Sequence, residues 1–340
     1  MWRDLLFILI YFNTGLASPI GDMTILQYAA ADAGTGGTTY FNLVRDKSFM
    51  ESKNHEHTNR EGHVIGYLVN YEVTAASEQV LNFITPSNSW KMRNSFRKFH
   101  AYRNMMFENA GITNQEKGKY GHTIRPYLDN NHRLEEEKTS GQDVGTLFLW
   151  DGSADPVVAV AATGGEWTYS ELATVPLYEQ SGPQMGASSL KVADEWPVMV
   201  CGKNVVGGTE TDTSGSYAAV GMIHSYNLDR MEVVTPTSES TVSGPSNPLA
   251  ALIASGNQAA GEILDIANEQ ELELPPYDLT DAGDSTLAVS QTTVKTPTTL
   301  GVVRGSCFVP AGLLGVFQKS AGDYTLHLTV VGEVLCKDMA

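Results

Sequence analysis

YTLHLTVVGEVL, residues Tyr324–Leu335, is the stretch whose pattern decides the fold. Leu326, Leu328 and Val330 alternate with His327 and Thr329, the period of a strand with one face in a core. From Val330 onward the run becomes more continuously apolar, and such a strand has at least one face in a core. The segments before it, TLAVSQTTV, TLGVVRGSCFVP and LLGVFQ (Leu313–Gln318), are also strand-like, and turn residues separate them. Both Thr298–Val309 and Tyr324–Leu335 are expected as core strands of one sandwich.

The same texture runs through the rest of the chain. TILQYAA (Thr24–Ala30), TTYFNLV (Thr38–Val44) and HVIGYLVNYEVT (His63–Thr74) read as strands, with a polar loop, SFMESKNHEHTNREG, before the third. After Gly141 come DVGTLFLW, PVVAVAA, EWTYSELATV (Glu166–Val175), WPVMVCG (Trp196–Gly202) and SYAAVGMIHSYNL (Ser216–Leu228). Helices do not alternate with strands, which disfavours a parallel βαβ fold. Many short strands with long loops and two inserted helical segments predict an all-β fold, a single jelly-roll β-sandwich. The 32 glycines and abundant Thr, Ser and Val agree with strands joined by turns.

The two expected helices differ in charge. In Trp90–Asn109 the apolar residues Met92, Phe96, Phe99, Tyr102 and Met106 step at helical spacing, so a helix is predicted from about Ser89, with Gly111 as its stop signal. Lys91, Arg93, Arg97 and Lys98 fall off this stripe, with Lys91 at its flank, and Arg103 lies at its edge, where its head must snorkel outward. The second helix is expected near Pro248–Ala267, capped by Asn247, and leads into the acidic run Glu269–Asp284. The organisation is therefore a prefix, residues 1–22, and one domain, residues 23–340, with a basic helical insertion at 89–110 and a helical and acidic one at 247–284.

Charge is polarised along the chain. The net is −17, yet residues 1–140 hold 15 basic and 15 acidic side chains and contribute nothing to it. Trp90–Arg125 carries eight Lys/Arg against Glu108 and Glu116. A basic patch attracts phosphate or an acidic neighbour, and a second copy of this chain would supply acid. Self-association and nucleic-acid contact are the leading readings, and a solvated helix face is the bland one.

Leu5–Phe12 is unbroken apolar sequence, followed by Gly15 and Ala17, the small residues a signal peptidase needs. It is too short to span a bilayer, and no other segment could cross one. A secretory signal and an extension ahead of Met23 both fit. The run has no partner pattern downstream, so the mature chain is expected to begin after Ala17 or at Met23.

Chemistry is sparsely marked. His55, His57 and His63 fall within the polar loop; an H-x-H pair could ligate zinc, but a solvated loop is the plainer expectation and no metal is assigned. Asp151–Asp155 has a faint likeness to a calcium loop and reads as a hairpin turn. Cys201, Cys307 and Cys336 are widely spaced, with no CxxC pair, and are expected as reduced core residues. The carboxylate runs Glu135–Glu137 and Glu269–Glu273 read as solvated faces. Nucleophile and phosphate-loop signatures are missing, so no catalysis and no cofactor is expected.

WKMRNSFRKFHAYRNMMFENAGITNQEKGKYGHTIRPYL (Trp90–Leu128) resembles capsid proteins of small circular Rep-encoding single-stranded DNA viruses, the circovirus-like group. NPLAALIASGNQAAGEILDIANEQELELPPYDLTDAGD (Asn247–Asp284), with Pro275-Pro276-Tyr277-Asp278, does so too. Gly301–Phe317 is similar to their last strand pair, an apolar hairpin before the closing strand. The resemblance covers roughly Met23 to the C-terminus. It implies a jelly roll that self-assembles into a small icosahedral shell around the genome, a virion location and attachment to a host receptor that the sequence does not identify. Many relatives carry an Arg-rich N-terminal arm, whereas this chain starts with an apolar run. Contact with single-stranded DNA would then fall to Lys91, Arg93, Arg97, Lys98 and Arg103. The alternative from another class is a secreted β-sandwich binding or adhesion protein, supported by the signal-like N-terminus.

Overall fold

A computed structural model describes residues 23–30, 36–109, 111–113, 116, 123–137, 145–149, 157–158, 167–173, 195–206, 217–231, 288–298 and 301–336. The expected prefix 1–22, the helical and acidic insertion 247–284 and the Asp151–Asp155 turn lie outside them.

The fold is all-β, built mainly from antiparallel sheets. The first sheet is assembled from both ends of the chain. Strand β14 (Tyr324–Leu335) lies between β3 (Ile65–Ala75) and β1 (Thr24–Ala30), with Leu328 opposite Tyr71 on one side and Leu26 on the other. β12 (Gly301–Pro310) adds to the far side of β3, and β5 (Thr146–Leu149) and β6 (Val157–Val158) add beyond β1. The second sheet runs β11 (Val289–Lys295), β4 (Val80–Thr85), β13 (Leu313–Gln318) and β2 (Thr38–Asn42), all antiparallel. The chain thus alternates between the two sheets from β1 to β4, and alternates again from β11 to β14.

The inner faces share one core. Leu26, Tyr28, Val69, Val73, Leu326 and Leu328 of the first sheet cluster with Phe41, Leu81, Phe83, Val294 and Val316 of the second. Two edge-to-face ring pairs bridge the sheets, Tyr28 with Phe41 and Tyr71 with Phe83, each at 4.8 Å between centroids. Such pairs add about 1 kcal/mol each beyond the area they bury.

The period-two reading of Tyr324–Val330 holds, since buried and half-buried residues alternate through Val330. A register shift between Val330 and Gly332 then ends the alternation, and Val331 is left exposed. β12 lies at the edge of the first sheet among the described residues. One of its faces meets the core as expected, with Val309 buried in it and Val303 and Cys307 packed against it, while Val302 on the other face is exposed.

Among the described residues between β4 and β11, besides β5 and β6, lie a third sheet and three helices. The sheet runs β7 (Glu171–Ala173), β8 (Glu195–Met199), β10 (Tyr217–Gly221) and β9 (Val205–Val206), with β8 and β10 parallel. Among the described residues, no helix is long and apolar enough to cross a membrane.

Three expected boundaries are corrected. The strand predicted to run through Val44 ends at Asn42, whose side chain accepts from the Arg45 backbone N–H at 3.2 Å and caps helix α1 (Leu43–Glu51). Between the basic helix and the strand-like runs after Gly141, where no element is expected, Asp129 caps a helix, α3 (Asn130–Glu137), by accepting from the His132 N–H at 2.8 Å. The strand predicted through Leu228 breaks at Gly221 into helix α4 (Met222–Met231). A Cβ at Gly221 would lie 2.1 Å from the Gly202 carbonyl oxygen, so only glycine permits this close approach. The remaining helix, α2 (Trp90–Asn109), falls where its apolar spacing predicts.

Val330 is 3% exposed in the shared core. Val330→Asp buries a carboxylate there and costs several kcal/mol, so soluble folded protein is expected to be lost. Soluble yield and a thermal melt check this, and unchanged melting would refute the placement.

Candidate functional site

Helix α2 is seated as its stripe requires. Met92, Phe96, Phe99 and Tyr102 are buried with Val64, Ile124, Leu313 and Trp196, and Met106 packs at the margin. Ser89 caps its start, its hydroxyl accepting from the Met92 N–H at 3.3 Å. Gly111, with φ +73°, ends it: its N–H bonds the Glu108 carbonyl at 3.0 Å and that of Ile112 bonds Phe107 at 2.9 Å, a Schellman closure.

The five basic residues do not share one open face. Lys91 is buried rather than at the flank, with Nζ 5.8 Å from the Trp90 ring. The half-buried Arg103 donates to the Thr123 carbonyl, and burial lowers its pKa against the opposing charge of Glu56. Arg93 is half-exposed and donates to the Asn88 carbonyl at 3.2 Å and side-chain oxygen at 3.1 Å. Lys98 lies 5.9 Å from the Tyr226 ring of α4, and desolvation brings its pKa down to about 8. Arg97 is exposed. Arg93, Arg97 and Lys98 therefore form the accessible part of the patch, while Lys91 and Arg103 belong to the seat of the helix.

A buried ionic clasp was not expected from sequence. Tyr28 donates to Asp46 at 2.7 Å, Arg45 donates to Asp46 at 3.1 Å and to Glu136 at 2.7 Å, and His132 Nε2 lies 3.5 Å from Glu136. Burial and the Asp46 charge push the Tyr28 hydroxyl well up. Burial opposes the ionisation of Glu136, but the His132 hydrogen bond and the Arg45 charge outweigh it and hold the carboxyl at about 2. The Glu135–Glu137 run is thus not simply a solvated face, because its central residue joins α3 to α1. Removing one partner of such a pair strands the other charge, which is what makes the clasp rigid.

The histidine loop is likewise not solvated. His55 bonds Glu51 through Nε2 at 2.7 Å and faces Glu333 through Nδ1 at 3.5 Å. His57 is fully buried, with Nδ1 2.6 Å from the Ala311 carbonyl, and Thr58 meets His100 of α2 at 2.8 Å. The loop therefore ties β14, the β12–β13 turn and α2 together. His55 and His57 have separate partners and do not converge, and His63 is half-exposed. Among the described residues, no three His, Cys, Asp or Glu side chains are grouped to hold a metal. Cys201 and Cys336 are buried free thiols and Cys307 is half-buried, and burial raises the last two to about 11. The arrangement offers positive charge on a helix whose apolar face is packed into the core.

Comparison with protein-family profiles, curated proteins and solved structures finds no match to this chain.

Burial lowers the His57 pKa from 6.5 to about 4, so the folded protein binds fewer protons than the unfolded chain between those values. Its contribution to stability is complete above about pH 6.5 and falls as pH drops toward 4, by roughly 3 kcal/mol in all. His57→Gln cannot titrate. Denaturant melts of both proteins from pH 7.5 to 4.5 should show a steeper loss in the native sequence, and parallel losses would contradict the assignment.

Proposed function

We propose that this chain is a capsid subunit, a single jelly roll that self-assembles into a small icosahedral shell around a circular single-stranded DNA genome. The observation that carries this reading is the connectivity. The orders β12-β3-β14-β1 and β11-β4-β13-β2, with the chain crossing between sheets, are compatible with two interlocked four-stranded Greek keys, an architecture used by viral capsid and lectin domains. Fold alone does not fix function. Three further features favour the shell over a lectin-like role.

The first is the resemblance of Trp90–Leu128 and Asn247–Asp284 to capsid proteins. The second is the polarity of charge, which suits head-to-tail contacts between copies. The third is the long excursion between β4 and β11, which holds a basic helix rigidly against the sandwich, as a surface that must meet a polyanion or an acidic neighbour requires. In this reading Arg93, Arg97 and Lys98 face the packaged DNA.

Negative-stain microscopy of the expressed protein tests the reading, with closed particles of uniform diameter expected. A monomer that binds glycans would favour the secreted binding protein instead. For the helix, Arg97→Glu with Lys98→Glu should leave empty shells intact and reduce the salt slope of single-stranded DNA binding by about 0.7 for each phosphate no longer neutralised. Shells that fail to form, with no DNA affinity measurable in the native protein, would make α2 an assembly element.

A further inference from the structure

Helix α2 turns one face outward. Trp90, Asn94, Arg97, Ala101 and Met105 follow one another at helical spacing, opposite the buried Met92, Phe96 and Phe99. Arg97, Ala101 and Met105 are exposed, and Trp90 and Asn94 are half-buried. Arg93 and Lys98, both half-buried, flank this face on its two sides. The sequence from Trp90 to Phe107 contains no acidic residue. The face is therefore positive, and a polyanion complements it.

Charge recognition alone does not call for a tryptophan. An outward helix position accepts any polar side chain, yet the largest aromatic one stands at Trp90. Tyr226 of α4, also half-buried, meets it edge to face, with ring centroids 6.2 Å apart and planes at 79°. Edge-to-face contact leaves ring faces that neither partner ring covers. A cation stands by each ring, Lys98 Nζ at 5.9 Å from Tyr226 and Lys91 Nζ at 5.8 Å from Trp90.

Rings interleaved with cations are how proteins hold a strand whose bases are unpaired. The bases stack on the rings, and the cations track the phosphates. In a duplex the base faces already cover one another. An acidic protein surface has carboxylates but no base to lay on a ring. The combination of charge and rings on this face thus selects its occupant.

We propose that Trp90 and Tyr226 form a stacking platform for unpaired bases, so that this face holds single-stranded nucleic acid by its bases as well as its phosphates. The inference rests on the reading of α2 as a nucleic-acid surface, and the test separates the two. Full-length protein is titrated against labelled oligodeoxythymidylate and against an abasic strand of the same length, with fluorescence anisotropy as the readout. Oligodeoxythymidylate should bind at least about tenfold more tightly than the abasic strand. Trp90→Leu and Tyr226→Leu should each shrink that preference several-fold, whereas Arg97→Glu should weaken both strands alike. A strand carrying bromouracil, irradiated on the native protein, should cross-link at Trp90 or Tyr226, which locates the platform without any variant. Equal affinity for the two strands overturns the proposal and leaves a phosphate-binding surface standing. Cross-links confined to other residues overturn it as well. Binding to neither strand overturns both the platform and the nucleic-acid reading of α2.

Discussion

Everything in this structure depends on the insertion of β14 between β1 and β3. Until the last strand arrives, β1 and β3 lack their common neighbour, and Leu26 and Val69 lack the side chains of Leu326, Leu328 and Val330 that cover them. The same holds in the second sheet, where β13 separates β2 from β4. Each half of the chain supplies alternate strands, so neither half has a closed core alone. Residues 86–288 must then form one long excursion whose ends are brought together by the pairing of β4 with β11. Loop entropy permits this, because a tenfold longer loop costs only about 2 kcal/mol more to close. The cost falls on rate, since pairings this distant in sequence form slowly.

Besides the pairing of β5 with β1, two kinds of contact hold the excursion among the described residues. An apolar seat receives Met92, Phe96 and Phe99 of α2. A polar seam, formed by Arg45, Asp46, Glu136 and the histidine loop, fixes α3 and α2 to α1 and to the strand ends. Hydrophobic burial supplies most of the stabilisation, and the seam supplies register, because each buried charge has a specific partner. Arg93, Arg97 and Lys98 are thereby presented from a helix whose apolar stripe is buried. That geometry suits recognition of charge by shape, as a phosphate backbone or a neighbouring subunit demands.

What was legible in the sequence follows from the range of the forces involved. Period-two alternation in Tyr324–Val330 and the helical spacing of Met92, Phe96, Phe99 and Tyr102 are local signals, and both elements form where they predict. β4 has the same alternation in its burial, but Val80–Thr85 is short, with apolar Val80 and Ile84 on its half-buried side and polar Thr85 on its buried side, so its pattern does not stand out from the loops around it. α1 and α4 continue apolar runs that look like strands. Their starts are set by one capping side chain, Asn42, and one steric requirement, at Gly221. The ionic clasp was illegible for a different reason. Arg45 and Glu136 are 91 residues apart, and in a local window each is an ordinary surface charge. The basic residues show both cases. Arg97 is exposed as its helical position implies, whereas the burial of Lys91 depends on what packs over it.

The central claim is that the two ends of the chain form one cooperative sandwich, and native-state hydrogen exchange tests it most directly. Amides of β3, β4, β13 and β14 should share a single opening free energy, equal to that of global unfolding, despite the long excursion between them. If β1–β4 and β11–β14 instead opened as separate units with different free energies, the interleaved core described here would be contradicted.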